Sequence, residues 1–190
     1  MSDDEVYQLV LATLLNHRYR PSEIPPVVAA GVYALFLTDP VALPALTVPT
    51  SGALYVGMAE LSLKDRNHFV HGDSGFSSPR RSLGSLLKDE LRLTAIRRGT
   101  GSSLRNIAKF RFPDDGEQRL SAWMDRYLRY SLARVSSDVR AVERRLIGEL
   151  KPPLNLTHWP NPQAAHLRSL RRACRDEAAR STAHTLAGAV

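Results

Sequence analysis

Cysteine is almost absent: Cys174 stands alone in 190 residues. That excludes an internal disulfide and a cysteine-rich zinc site, and it fits a reducing, cytoplasmic setting. Long apolar runs are missing too. The longest, residues 27–37, is far too short to cross a bilayer, so no membrane partner is expected. The opening residues Met1-Ser2-Asp3-Asp4-Glu5 lack the positive charge of a secretory leader. There is no internal repeat or low-complexity block. The glycine-rich basic stretch 97–106 (RRGTGSSLRN) lacks the Gly-Lys-Ser/Thr ending of a loop that cradles nucleotide phosphates. Negative charge is in deficit, with 26 Lys and Arg against 19 Asp and Glu, a net +7. A basic balance favours an acidic partner, nucleic acid first.

What is present suffices for one folded domain with a real core. Residues 3–16 carry Val6, Leu9, Val10, Thr13 and Leu14 at helical spacing, with Asp3 or Asp4 placed to cap the start. A basic, aromatic stop, His17-Arg18-Tyr19-Arg20, precedes a proline-rich connector. Strands are expected near 30–37 and 53–58, joined by a loop and most simply antiparallel. A short helix is expected over 58–69, a long amphipathic one over 79–97, and an edge strand over 107–112. Pro113-Asp114-Asp115-Gly116 reads as a turn, followed by a short helix over 117–125. The third strand is expected over 127–135, with the mixed faces of an exposed edge. A helix capped near Asp138 runs to 150, where Pro152 and Pro153 stop it. Asn161-Pro162 opens a last, basic helix that frays from 181.

Within this frame two short stretches stand out: Gly31-Val32-Tyr33 in the first strand and Tyr55-Val56-Gly57 in the second. Alternate side chains share one face of a sheet, so tyrosines on neighbouring strands can converge. Glycine in a strand admits close approach to the backbone. Downstream, Glu143 sits beside Val142 and one turn before Ile147, at the margin of a buried helix face, where a carboxylate is uncommon without a partner.

These tripeptides resemble the two halves of the signature of the GIY-YIG nuclease superfamily. The run Glu143-Arg144-Arg145-Leu146-Ile147-Gly148-Glu149-Leu150-Lys151-Pro152-Pro153-Leu154-Asn155 is similar to its closing segment. There a metal-binding glutamate is followed by a Leu-Ile pair, lysine, proline, an apolar residue and asparagine. The twelve-residue interval to Asn155 selects Glu143 over Glu149. The resemblance covers residues 31–155, and its intervals are closer to the restriction-enzyme branch than to the smallest members. Met58 stands where many members have lysine, which removes one cation near the site.

The resemblance implies an α+β fold: a small three-stranded antiparallel sheet flanked by helices. Residues 27–160 would form the catalytic domain, 1–26 an N-terminal helix and connector, and 161–190 a C-terminal basic helix and tail. The implied activity is metal-dependent endonucleolytic hydrolysis of DNA. Mg²⁺ (or Mn²⁺) would be held by Glu143, with Tyr55 or Tyr33 at the attacking water and Asn155 orienting either the groups around the site or Glu143 itself. His68, of the side-chain type that titrates near neutrality, would relay a proton. Arg66, eleven residues past Tyr55, would clamp the scissile phosphate, with Arg80 or Arg81 competing for that role. Whichever loses would hold backbone phosphate, together with Arg97, Arg98, Arg168, Arg171 and Arg172. A nucleic-acid-binding module without cleavage, or an RNA-directed nuclease, are the competing readings. One centre cuts one strand, so a double-strand cutter would be a homodimer.

Overall fold

The computed structural model describes residues 2–68, 72–99 and 109–187. Helix α1 (Asp3–Asn16) starts at Ser2 rather than at an aspartate. The Ser2 hydroxyl accepts from the Glu5 N–H, and the Glu5 carboxylate accepts from the Ser2 N–H, a reciprocal capping box. Strand β1 (Gly31–Leu37) pairs antiparallel with β2 (Ala53–Ala59) on one side and with β5 (Leu128–Arg134) on the other. The order is therefore β2-β1-β5, with β1 central. Helix α4 (Val139–Leu150) begins at Asp138, whose side chain accepts from the N–H groups of Arg140 and Ala141. It ends on Lys151 in the left-handed region, φ 47°, ahead of the two prolines.

One face of the sheet carries the core. Val32, Ala34, Phe36, Val56 and Ala133 pack against Tyr7, Val10, Leu11 and Leu14 of α1 and against Val139, Leu146, Ile147 and Leu150 of α4. Both outer edges of the sheet are tied off. Tyr19 exchanges backbone hydrogen bonds with Tyr130 of β5, at 2.7 and 3.0 Å. The His17–Arg20 stretch thus serves the fold. Arg18 lies over the Phe36 ring and donates to the Ser51 carbonyl. β5 is an edge in order but mostly buried, not the exposed edge expected.

The packing divides the chain into two compact units that do not follow the boundaries expected at residues 26 and 160: Met1–Phe69 with Met124–Ala164, and Val70–Trp123 with Ala165–Val190. In the first, the described residues directly after β2 form a 3-10 turn at Lys64–Arg66 in place of the expected helix. In the second, α2 (Ser78–Leu86) is much shorter than the expected 79–97. Arg119, held by Asp115, donates to the carbonyls of Leu91 and Arg92. Arg92 itself is left-handed, at φ 51°. A partner distant in sequence thus satisfies carbonyls that a continuing helix would have used. A two-residue ribbon pairs β3 (Ile96–Arg97) with β4 (Phe110–Arg111). Most of the stretch 97–106, with Arg105, and the start of the strand expected at 107 lie outside the described residues. The expected turn at 113–116 is instead the entry to α3 (Asp114–Tyr127), where the Glu117 N–H donates to the Pro113 carbonyl. Helix α5 (Ala164–Ala187) runs past the point where fraying was expected. No described helix is long and apolar enough to cross a membrane.

Candidate active site

The sheet face opposite the core carries a row of tyrosines. Register sets Tyr33 opposite Gly57, and Leu35 opposite both Tyr55 on β2 and Tyr130 on β5. Tyr55, Tyr33 and Tyr130 therefore lie diagonally across three strands on one face. The Tyr33 and Tyr55 rings are 6.2 Å apart; Tyr33 and Tyr130 stack at 5.5 Å with only 10° between their planes. The two glycines of the motif make this row fit. A Cβ on Gly57 would sit 2.5 Å from Cζ and the hydroxyl of Tyr33 and 2.9 Å from the Tyr55 ring. A Cβ on Gly31 would collide with the Ala133 carbonyl of β5. Met58, opposite Val32, lies against the core cluster instead of this row.

The Tyr33 hydroxyl and His68 Nε2 share a hydrogen bond of 2.8 Å, and the two rings are 5.3 Å apart. His68 also meets the Tyr55 ring edge-on at 6.1 Å. Burial pushes the Tyr33 phenol well above its ordinary range, and neighbouring Tyr55 and Tyr130 push the same way. Arg66 pulls it down and Glu143 pushes it up, so both charges act on this one hydroxyl. Arg66 is exposed on its 3-10 turn and lines a shallow cleft of about 340 Å³ with Glu60 and Asp65.

Glu143 is half-buried on α4, which packs against β2 and β1. Among the described residues its carboxylate has no hydrogen bond and no ion pair. Desolvation raises its proton affinity, while His158, Arg144 and Arg140 oppose that. Among the described residues no group of three His, Cys, Asp or Glu side chains could cage a metal ion. A poorly solvated carboxylate that, among the described residues, has neither hydrogen bond nor ion pair still fits Mg²⁺. That ion is commonly held by one or two carboxylates, several waters and the substrate's phosphate.

Of the two tasks expected of Asn155, its bonds fit support of the groups around the site. Its amide Oδ1 accepts from the Val56 N–H and its Nδ2 donates to the Val56 carbonyl, both at 2.8 Å. It braces the open edge of β2 between Tyr55 and Gly57, and so positions the row rather than Glu143. The arginines also divide. Arg80 is 0 % exposed and ion-paired with Glu117 at 2.7 Å, and Arg81 donates to the Ser74 and Gly75 carbonyls. Both were expected to meet phosphate; both are instead buried struts of the second unit. Arg97 and Arg98 are half-buried, Arg168 and Arg172 are exposed on α5, and half-buried Arg171 reaches the Ser78 hydroxyl at 3.4 Å.

Tyr130 was missed as a member of the row. Its alternation within β5 was visible, but only the pairing of Leu35 with Tyr130 puts it beside Tyr33. A family model described as the GIY-YIG catalytic domain matches residues 31–177. No curated protein and no solved structure matches the chain.

Proposed function

Because the chain belongs to the GIY-YIG catalytic-domain family, whose type of function is that of a nuclease, we propose that it is a metal-dependent endonuclease that hydrolyses DNA phosphodiester bonds. The observation that carries this reading is Glu143: a half-buried carboxylate that, among the described residues, has no hydrogen bond or ion pair, and that acts on the same phenol as Arg66. Glu143 would hold the divalent ion, which when bound supplies charge neutralisation at the leaving 3′ oxygen.

The chain's own groups cover the remaining needs. Arg66, exposed and, among the described residues, without a side-chain hydrogen bond or ion pair, meets the scissile phosphate through two parallel N–H donors. Tyr33 stays protonated at neutral pH, because burial raises it. It therefore acts as a relay rather than as a free base. As water attacks phosphorus, its proton passes to the Tyr33 oxygen while the Tyr33 proton passes to His68 Nε2 in the tautomer protonated on Nδ1. The P–O3′ bond breaks opposite the incoming oxygen, and the departing 3′ oxygen takes up a proton from solvent water. Tyr55, half-buried on the same face, orients the water from the other side.

The test is nicking of supercoiled plasmid with Mg²⁺, and with EDTA in excess. Mg²⁺-dependent nicking supports the reading. Salt-sensitive gel retardation without nicking would favour a binding module instead, and cleavage confined to RNA would redirect the substrate. Gly57→Ala gives a sharper internal check. The added methyl displaces the Tyr33 hydroxyl, and a misplacement of about 1 Å costs about 10²-fold in rate. Single-turnover nicking should fall by that order while binding of uncleaved DNA stays unchanged; full activity would remove Tyr33 from the chemistry.

A further inference from the structure

We propose that Phe76 and Arg98 form a stacking site for an unpaired nucleobase, separate from the tyrosine row. The proposal rests on the reading that this chain acts on nucleic acid. Phe76 is 69 % exposed, an unusual state for so large an aromatic side chain. Single exposed apolar residues are common on protein surfaces; what sets this one apart is how its loop is held. On one side of Phe76, the Asp73 carboxylate accepts from the Gly75 N–H at 2.6 Å, and Glu117 accepts from the Ser74 N–H and hydroxyl at 2.9 and 3.0 Å. Arg81 clamps the Ser74 and Gly75 carbonyls at 2.8 and 2.9 Å. On the other side, the Ser77 hydroxyl caps α2 by accepting from the Arg80 N–H. Charged side chains on one side and a helix cap on the other thus fix the backbone around an aromatic ring that remains in water. A rigid platform loses little conformational freedom when something stacks on it.

The ring already has a cation on it. The Arg98 guanidinium carbon lies 4.0 Å from the Phe76 centroid. Gly75 makes that approach available, since a Cβ there would lie 2.7 Å from Arg98 Cγ and 2.9 Å from Asp73 Oδ1. An aromatic face beside an arginine is the pairing that takes bases of any sequence, the ring stacking on the base and the cation meeting its phosphate. Paired bases inside a duplex present no free face, so the site calls for a base in a bulge, gap or single-stranded flank.

The test uses the full chain without divalent cation, so that strands stay intact. Two probes are compared by anisotropy: a short intact duplex, and the same duplex with a few-nucleotide bulge carrying 2-aminopurine. Wild-type protein should prefer the bulged probe and quench its 2-aminopurine. Phe76→Ala should lose about tenfold in affinity for the bulged probe, the size of one base–aromatic stack. It should also lose the quench and keep its affinity for the intact duplex. Phe76→Tyr, which retains the ring, should restore both. Equal losses on the two probes, no loss on either, or a quench that survives Phe76→Ala would overturn the site. Wild-type protein that binds neither probe would overturn the nucleic-acid reading itself, and this site with it. Because Phe76 faces solvent, a matched thermal melt separates these outcomes from misfolding.

Discussion

Glu143→Gln is expected to slow Mg²⁺-dependent DNA nicking about 10³-fold, the scale of losing one strong electrostatic stabiliser of the transition state. It should do so without weakening the fold. The side chain keeps its shape and loses only its charge. Glu143 has its proton affinity raised by desolvation, against the pull of His158, Arg144 and Arg140. A carboxyl raised in the folded state contributes stability below its unfolded value and loses that contribution as pH climbs through the folded one. At neutral pH the ionised group is therefore a burden on the native state, and glutamine lifts it. The variant should unfold at the same temperature as the parent or higher, a pattern typical of residues kept for chemistry. Nicking by the parent should rise with pH through the raised Glu143 titration, because the deprotonated form is the one that binds a cation. A Glu143→Gln protein that melts earlier yet still nicks at the parental rate would show that this carboxylate serves the fold instead.

Arg80→Met is expected to lower stability by about 3–5 kcal/mol, the usual result of leaving a buried charge without its partner. For a chain of this size that amounts to a melting midpoint lower by about 10 °C. The reason is the company Arg80 keeps. Its Nη2 reaches Glu117 Oε2 at 2.7 Å and the Ser121 hydroxyl at 3.0 Å. Glu117 also accepts from Ser74 twice and from the Phe112 N–H. With the guanidinium gone, a nearly inaccessible carboxylate keeps those donors but no counter-charge. Pairing Arg80→Met with Glu117→Gln should recover a large part of the loss. A double variant as unstable as the single one would place the cost in side-chain packing rather than in charge.

The tyrosine row was legible because alternation along a strand is a local property. Two glycine–tyrosine tripeptides in adjacent strands allow Tyr33 and Tyr55 to share a face, and the register of β1 with β2 makes them do so. Glu143 was legible for a similar reason, as a charge at the rim of a helical stripe that ends in Leu146, Ile147 and Leu150. Arg80 was not. At the start of an amphipathic helix with Leu83, Leu86 and Leu87 it reads as a cation free to meet phosphate, and its partner Glu117 lies 37 residues away. The stop of α2 at Leu86 was hidden in the same way, since no glycine or proline marks it and Arg119 supplies the missing donors from another helix. Asn155 was found by its place in a motif, but its bonds to Val56 reach across 99 residues, so its task could be read only in three dimensions.

The side-chain amide of Asn155 occupies the spot where a fourth strand would dock. The Leu154 N–H, donating to the Leu54 carbonyl at 2.9 Å, fills the neighbouring position. On the far border Tyr19 does the same for Tyr130. At Val56 and at Tyr130 both main-chain groups are already engaged, so another strand cannot extend the ladder there. A second copy that added a strand to this sheet would have to do so away from the middle of either border.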